Sequence, residues 1–460
     1  MTLRATLALI LLAAAPALAQ PAAPTKLQTP ADMASFDKEL DALFAPGGLT
    51  SDQAAQRAVT ASPSVLRTVA EIDVAIANVD AAELSRVPQV GAKAQYTRLS
   101  PLDPVNLGGF TIPVFENVYT VQAQVGIPLS DYILRFPKIV GAARLGEEAA
   151  RLGKRTSEVN AGNEARVAYY EWVRARLQSI VAQRQLAQVQ TTLKQVRALA
   201  EAQRLSRADL MRVESNEAQA DQAVIQLRHL ADLREEQLRL LIGAPEGQPL
   251  TMGEDIRQEA TAPASQQLDA LVDTAKRQRL EFKAIDIGLR AKDTQLEAER
   301  ANKYPVLSAF AAGEYTNPNQ RIFPQENKFT FTWSIGAQLT WTLNQALVSR
   351  TTDRRLRAET NELKADRSNL ERGTRIQVLS AQQSVEIAQA ALQTSQKGLA
   401  AAEEGYRVRR ELLNAERATA VELVDAETDL TRARIASLNA RVDLRVAMAQ
   451  LAHALGNDAK

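Results

Sequence analysis

Four short runs of the chain alternate between apolar and polar side chains, as strands with two different faces do. The apolar positions are, run by run, Val90, Ala92, Ala94 and Tyr96; Tyr119, Val121, Ala123, Val125, Ile127 and Leu129; the Ala-rich segment 307–315; and Phe329, Phe331, Trp333, Ile335, Ala337, Leu339, Trp341 and Leu343. Such runs suit membrane strands of about 9–11 residues with aromatic side chains near their ends. A soluble sheet with one buried face is the alternative. No other segment remains to cover that face, so we predict a transmembrane barrel.

Long helical segments fill most of the remaining chain. Segments 134–200 and 347–412 contain no proline after Pro137, and each would extend for about 100 Å as a helix. Four further helical segments are about half as long: 51–86, 208–243, 266–303 and 420–456. Two half-length helices placed end to end would match one long helix, which predicts a continuous helical wall. Pro63 predicts a local kink or a helix start.

The same order of elements occurs twice, so the chain contains an internal repeat. Residues 50–243 and 266–456 each hold a helix, two strands, a long helix and a closing helix. The closing helices align without gaps at a separation of 213 positions, and both carry a coiled-coil seam. The seam positions of the second copy are Leu423, Ala426, Leu430, Ala433, Ser437, Ala440, Leu444, Ala447, Leu451 and Ala454. Glu217 and Arg234 interrupt the first copy, which is therefore predicted to pack less uniformly.

Four strands cannot close a membrane barrel alone. Closed membrane barrels begin at about eight strands, and an open strand edge would leave main-chain groups unpaired in lipid. Two copies of the chain would supply eight strands and a filled interior, whereas three copies would supply twelve strands and an open lumen. The turn-rich loops 99–117 and 317–328 would then form the extracellular tips.

The N-terminus has the pattern of a cleavable export signal. Arg4 precedes the apolar run 5–15, and Ala17-Leu18-Ala19 offers small residues for cleavage. The apolar run is shorter than the roughly 20 residues that span a bilayer, and no later segment is a candidate transmembrane helix. The chain has no cysteine, which excludes disulfides and a lipidated N-terminal cysteine.

Composition and charge argue against several other functions. Lys and Arg number 55 against 54 Asp and Glu, a balance that gives no nucleic-acid footprint. The two histidines, His229 and His453, have no Cys or carboxylate at a metal-ligand spacing, and no Gly-rich phosphate loop is present. We therefore expect neither an enzyme nor a bound cofactor or metal.

The closing helix of the second half carries the most specific motif. Residues 421–427 (Val-Glu-Leu-Val-Asp-Ala-Glu) begin this helix, and Ala454-Leu455-Gly456 ends it. Together with the duplicated unit behind an export signal, these residues resemble the TolC-type outer-membrane factor family over about residues 50–456. The sequence departs from the family pattern between Tyr406 and Glu422, where about one heptad is inserted. This insertion predicts a longer tip.

The resemblance implies a mainly α fold with a membrane β-barrel, in which a duplicated strand-strand-helix-helix unit forms a trimeric twelve-stranded barrel continued by a twelve-helix coiled-coil periplasmic tunnel. The expected segments are a signal peptide 1–19, an N-terminal periplasmic extension 20–49, a first repeat 50–243, an equatorial linker 244–265, a second repeat 266–456 and a tail 457–460.

The resemblance also implies a nearly closed periplasmic aperture at the far end of the tunnel. By motif, its residues are Asp209, Arg417, Glu422 and Asp425. Glu422 and Asp425 are three positions apart and so share a helix face. The alternative is that they are ordinary carboxylates at a helix start, favoured by the helix dipole.

The function implied by the resemblance is that of an outer-membrane channel in a tripartite efflux pump, exporting drugs, toxic compounds or metal ions. Its expected partners are a periplasmic adaptor (membrane fusion) protein and an inner-membrane transporter of the RND, ABC or MFS type, with no nucleic acid. Exposed leucine at a turn indicates a partner surface, and the predicted docking residues are Arg204, Leu205, Ser206, Leu412, Leu413 and Asn414.

Two alternatives stay open. One is the outer-membrane duct of a type I protein secretion system. The other is a periplasmic coiled-coil adaptor or scaffold, which the outward-facing Phe331, Trp333 and Trp341 disfavour.

Overall fold

The computed structural model describes residues 43–258, 260, 266–415 and 417–459, so the predicted signal peptide and most of the predicted extension lie outside the described residues. The helices of the described residues are α1 (Ser51–Ala61), α2 (Pro63–Leu84), α3 (Leu129–Leu134), α4 (Phe136–Glu201), α5 (Arg207–Ile242), α6 (Leu268–Gln278), α7 (Leu280–Ala301), α8 (Leu343–Asn414) and α9 (Ala420–Leu455). Across the described part of the chain, no helix is both long and apolar enough to cross a membrane.

The four predicted strands form one antiparallel sheet in the order β2-β5-β6-β7. The strands of the described residues are β1 (Phe44–Leu49), β2 (Gln89–Arg98), β3 (Val105–Leu107), β4 (Phe110–Ile112), β5 (Asn117–Pro128), β6 (Val306–Asn317) and β7 (Thr330–Thr340). The small β3-β4 hairpin lies within the loop predicted as an extracellular tip. It turns at Gly108 and Gly109, whose positive φ angles suit a two-residue hairpin turn.

The pairing register places the four apolar sets on one face of the sheet. Tyr96 is opposite Tyr119, Val121 is opposite Tyr315, and Tyr315 is opposite Phe331. This face is exposed in the protomer, most clearly on β7 and the residue after it, at Phe331, Trp333, Ile335, Leu339 and Trp341. The predicted alternation is therefore confirmed, and no other part of the described chain covers the apolar face.

The opposite face of the sheet is mainly polar. One row across the four strands consists of Lys93, Gln122, Glu314 and Thr332. Phe310 is an exception, since it lies in the row between Gly126 and Gly336. A Cβ atom on Gly336 would stand 2.8 Å from the Phe310 ring. The glycine therefore makes room for an aromatic ring on a polar face.

The helices before each strand pair repeat closely, but each predicted single helix is broken once. Helices α1 and α6 have 11 residues, and α2 and α7 have 22. The first break is at Ser62, where Pro63 begins a new helix, so the predicted helix start is confirmed. The second break is at Arg279, which has an extended backbone. Its buried guanidinium donates to Glu281 and Gln377, which holds the break in place.

The two long helices have 66 and 72 residues. The extra length of α8 lies at its sheet end, because the matching stretch of the first half is the separate helix α3. At the far end, turns 202–206 and 415–419 have equal length. The two hairpins therefore end level with each other, and the insertion before Glu422 does not make the second hairpin longer than the first.

The helices pack side by side in one order along the whole molecule. Near the sheet the order is α2, α4, α7, α8, and at the far end it is α5, α4, α9, α8. Helix α4 belongs to both sets, which we call the layer near the sheet and the layer at the far end. One edge of the protomer is thus formed by β2, α2 and α5, and the opposite edge by β7 and α8.

The largest apolar cluster lies where the half-length helices meet. It joins α4, α5 and α9 around Tyr169, Trp172 and Val173. The predicted seam of α9 is buried at Leu423, Leu430, Ser437, Ala440, Leu444, Ala447, Leu451 and Ala454. In α5 only Val213, Ala220, Ala231 and Leu238 of the matching positions are buried. Helix α5 lies at the edge of the protomer, whereas α9 lies between α4 and α8, so the less uniform packing predicted for the first copy stays a prediction.

The segment after α5 is held to α9 through its main chain. Arg445 donates to the carbonyl oxygens of Ile256 and Gln258 at 2.9 and 2.8 Å. Arg441 donates to the carbonyl oxygen of Arg257 at 2.5 Å. Arg445 also pairs with Glu254 at 3.4 Å. These two arginines fix the path of residues 254–258 across the middle of the helical wall.

Candidate functional site at the helical tip

The two helical hairpins meet in a small apolar cluster at the end far from the sheet. Leu193 and Val196 of α4, Val213 of α5, and Ala420 and Val424 of α9 form this tip cluster. The cluster brings the two closing helices together at their starts. It therefore positions the side chains that the sequence assigns to an aperture.

Asp209 takes part in the local capping of α5. The Ser206 hydroxyl accepts a hydrogen bond from the Asp209 main-chain N–H at 3.1 Å and donates one to Asp209 Oδ2 at 2.7 Å. A carboxylate in the first turn is also favoured by the helix dipole. In the described part of the chain, Asp209 forms no ion pair across to the second hairpin.

The two carboxylates predicted for the aperture are each paired with an arginine of the same chain. Arg409 Nη1 lies 2.8 Å from Glu422 Oε2, and Arg212 Nη2 lies 3.5 Å from Asp425 Oδ1. Arg417, the predicted cation of the aperture, is exposed in the turn and pairs with neither carboxylate. Both pairs are about half exposed, so each contributes little to stability. Their main effect is on the local charge.

A signal for one of these arginines was present in the sequence. Arg212 and Asp425 occupy equivalent positions of the two aligned closing helices, 213 residues apart. Arg409 comes from the segment inserted between Tyr406 and Glu422. Neither arginine was among the predicted aperture residues.

The leucines of the predicted docking surface are not fully exposed. Leu205 packs against the tip cluster, and Leu412 and Leu413 are half-buried. The expectation of exposed leucines is wrong, because the turns fold back onto the helices, with Arg204 N–H donating to the Leu199 carbonyl oxygen. Arg204 and Ser206 are exposed, and the side chain of Asn414 lies outside the described residues. Their role in docking stays a prediction.

A groove of about 730 Å³ lies between α4, α8 and α9 above the tip. Its lining includes Glu427 of α9, Gln188 and Thr192 of α4, and Tyr406 and Arg410 of α8. The Glu427 side chain is almost fully buried, and burial raises its pKa above the ordinary value. This buried carboxyl was missed in the sequence, although its spacing to Leu423 and Leu430 places it on the seam side of the helix.

The geometry of the tip is one of packing, capping and ion pairs. Within residues 43–258, 260, 266–415 and 417–459, no group of three or more His, Asp or Glu side chains is placed to hold a metal ion. Arg410 lies over the Tyr406 ring, 5.9 Å from its centroid.

The family model of outer membrane efflux proteins matches residues 54–244 and 271–457. The chain belongs to the outer membrane efflux protein family. The resemblance found in the sequence is confirmed, and with it the location of the chain in the outer membrane with a helical periplasmic portion. Members of this family are channels rather than enzymes, and the chain is the outer-membrane duct of an efflux pump.

Solved structures of outer-membrane channels share the fold of this chain. CusC, described for its transmembrane channel formation, has 15% sequence identity, a TM-score of 0.74, and coverage of 90% of this chain and 93% of its own. The CmeC channel of Campylobacter jejuni has 12% identity, a TM-score of 0.74 and coverage of 92% and 88%. The open MtrE channel of Neisseria gonorrhoeae has 17% identity, a TM-score of 0.72 and coverage of 88% of both chains.

A comparison with curated protein sequences gives no significant match. The predicted fold class is confirmed by the solved channels of the family, whereas the boundaries of the predicted segments stay predictions.

Proposed function

We propose that three copies of the chain form one tube, which carries small molecules from a periplasmic adaptor and an inner-membrane transporter across the outer membrane. The observation that carries this proposal is the shared order of the sheet and both helical layers. In each layer the two edge elements differ, so the edge of one copy meets the opposite edge of the next. Contacts of this head-to-tail type generate a ring when the rotation between copies closes.

The edges of the protomer are suited to burial against another copy. Strands β2 and β7 each have one edge without a partner in the described chain, and such an edge is prohibitive in lipid. Exposed apolar side chains on the edge helices include Leu66, Val74 and Leu84 of α2; Ile225, Leu233 and Leu240 of α5; and Leu347, Val348, Ile376 and Ile387 of α8. Both the main chain and the side chains therefore favour closure with another copy.

Three copies suit the chemistry of the sheet better than two. With four strands from each copy, two copies would give a barrel filled by side chains, whereas three would leave an open lumen. The apolar face would contact lipid, and the polar row with Lys93, Gln122 and Glu314 would line the lumen. A polar lining without a built pocket supports a conduit for several small molecules, such as drugs, toxic compounds or metal ions.

The tip with its two turns is the proposed contact for the adaptor and, through it, for a transporter of the RND, ABC or MFS type. A type I secretion duct would use the same tube for a protein cargo. The family membership and the exposed apolar face of the sheet both argue against the periplasmic scaffold that the sequence left open.

The mature chain is expected to be a trimer in detergent and to conduct ions when added to a planar lipid bilayer. Light scattering with detergent correction gives the mass of the complex, and single-channel recording gives the conductance. A stable monomer, or a protein that stays soluble without detergent and forms no channel, would contradict the proposed tube.

The two arginines at the tip change the expected ion selectivity of the aperture. Three copies of Glu422 and Asp425 near one axis would attract cations strongly if they were bare. Because Arg409 and Arg212 accompany them, we expect weak selectivity in the parent channel. Arg409→Ala is expected to raise the cation-to-anion permeability ratio severalfold, measured as the reversal potential across a salt gradient.

The matched control is Arg144→Ala, which removes an arginine paired with Glu83 on the helical wall, far from the tip. This variant is expected to leave the reversal potential unchanged. Combining Arg409→Ala with Glu422→Gln is expected to restore the parent value. If Arg409→Ala alone has no effect, Glu422 does not face the conduction path.

A further inference from the structure

The internal repeat relates two acidic residues whose surroundings differ. Glu214 of α5 and Glu427 of α9 are equivalent in the aligned closing helices, and so are Arg197 of α4 and Arg410 of α8, each pair being 213 residues apart. In the first hairpin, Arg197 Nη2 pairs with Glu214 Oε1 at 2.9 Å. In the second hairpin the equivalent ion pair is absent, although both of its members line the same groove. Glu427 instead forms hydrogen bonds with a different helix.

That helix is the long helix of the other hairpin. The Thr192 hydroxyl donates to Glu427 Oε1 at 2.9 Å, and Gln188 Nε2 donates to the same oxygen at 3.4 Å. The Glu427 residue is 3% exposed, and its second oxygen, Oε2, has no hydrogen-bond partner in the described chain. The side chain therefore joins the two hairpins with half of its hydrogen-bonding capacity unused.

The surroundings of Glu427 disfavour the ionised form of its carboxyl group. Burying a charge without a charged partner costs far more than burying a neutral carboxyl, which is why the pKa of Glu427 is raised by burial. The charged and titratable groups that share the groove are Arg184 on α4 and Tyr406 and Arg410 on α8. No ion pair joins Glu427 to either arginine in the described residues.

We propose that Glu427 is a proton-binding switch between the two hairpins. When neutral, it joins α9 to α4 through Gln188 and Thr192. When it loses its proton to water in the groove, it pairs with Arg410 of α8, as Glu214 pairs with Arg197, and the second hairpin is released from α4 at the tip. The inference rests on the proposed function only for its consequence, which is that acid holds the periplasmic end of the duct closed.

The direction of the pH dependence follows from linkage. A carboxyl whose pKa is raised in the packed state stabilises that state fully below its ordinary pKa. This contribution is lost as the pH rises through the raised pKa. Over that interval, the protection of the tip amides against hydrogen exchange, corrected for the intrinsic rate, is expected to fall about tenfold for each pH unit.

The experiment uses the detergent-solubilised full complex and needs no transport. Infrared difference spectra between the parent and Glu427→Gln follow the protonated carboxyl of this one residue as the pH is varied. Hydrogen exchange of segments 188–196 and 420–430 follows the release of the hairpin. In Glu427→Gln, which keeps the shape without the charge, tip protection is expected to be independent of pH. In Arg410→Met, release is expected to begin at a higher pH than in the parent.

Asp429→Asn is the matched control, because Asp429 is exposed on the same helix and pairs with Arg432. It is expected to retain the pH dependence of the parent. The switch is overturned if Glu427 ionises at its ordinary value or if Glu427→Gln keeps the parent's pH dependence. An unchanged onset in Arg410→Met overturns the exchange of partners. A failure to conduct ions would overturn the proposed tube but would leave these readings intact.

Discussion

Replacement of Trp172 with alanine is expected to lower the free energy of unfolding by about 3–5 kcal/mol. Trp172 is 1% exposed on α4, and its ring centroid lies 5.8 Å from that of Tyr169. The surrounding cluster joins α4, α5, α9 and the segment before residue 258. Because Trp172 Nε1 has no hydrogen-bond partner in the described residues, the loss is one of packing. Thermal unfolding of the helical circular dichroism signal measures it.

Trp333→Ala provides the control on the same residue type. Trp333 is 68% exposed on β7, so its removal leaves no cavity in the helical wall. The midpoint of helical unfolding is expected to stay at the parent value. Equal shifts in both variants would show that the cluster around Trp172 does not limit the stability of the helices.

Aspartate at both Leu233 and Ile387 is expected to prevent trimer formation. The two side chains are 54% and 69% exposed on the opposite edge helices α5 and α8. Both lie about 40 Å from the tip along their helices, so a head-to-tail ring would bring them face to face. Each loses part of the roughly 1.5–3 kcal/mol that full burial of a leucine or isoleucine contributes, and two like charges then meet at every interface. Light scattering in detergent is expected to show a monomer.

The control for this variant is Gln393→Asp on α8. Gln393 is exposed but lies about a third of a turn away from Ile387 around the helix. It introduces the same charge outside the proposed contact and is expected to leave the trimer intact. A trimer of unchanged stability in the Leu233→Asp, Ile387→Asp double variant would place the contact between copies on another surface.

The sheet could be predicted from the sequence because its signal is local. In β7, every second residue from Phe331 to Leu339 is apolar or Ala, and the observed register places these residues on one face with those of β6. A one-residue slip would invert both faces, so the pattern fixes the strand orientation. The same is true of Pro63, whose missing N–H marks a helix start.

The second helix break had no such local signal. Arg279 lies in a helical sequence without proline or glycine nearby, and its extended backbone depends on contacts from distant residues. Gly456 at the end of α9 approaches so closely that a Cβ there would stand 3.0 Å from Arg279 N. Contacts of this kind form only in the assembled fold, so the periodicity of the sequence alone could not predict the break at Arg279.

The same distinction applies to the candidate site. Helix-start carboxylates such as Asp209 and Glu422 could be placed at the tip, because the family motif marks the starts of the two closing helices. The spacing of Glu427 places it on the seam side of α9, but its burial was missed because a glutamate is ordinarily assigned to solvent. Only the packing of α9 on α4 shows that Thr192 and Gln188 hold it inside.

Arg441 and Arg445 hold residues 254–258 through hydrogen bonds to main-chain carbonyl oxygens, which limits how the sequence of this segment can change. The oxygen atoms at Ile256, Arg257 and Gln258 are present whatever side chains those positions carry. Substitutions within residues 254–258 are therefore expected to be tolerated as long as the length of the segment is kept. A deletion of one residue would shift every oxygen away from its arginine. The length of this segment is therefore constrained more strongly than its amino-acid sequence. Its outward side chains can differ among related channels.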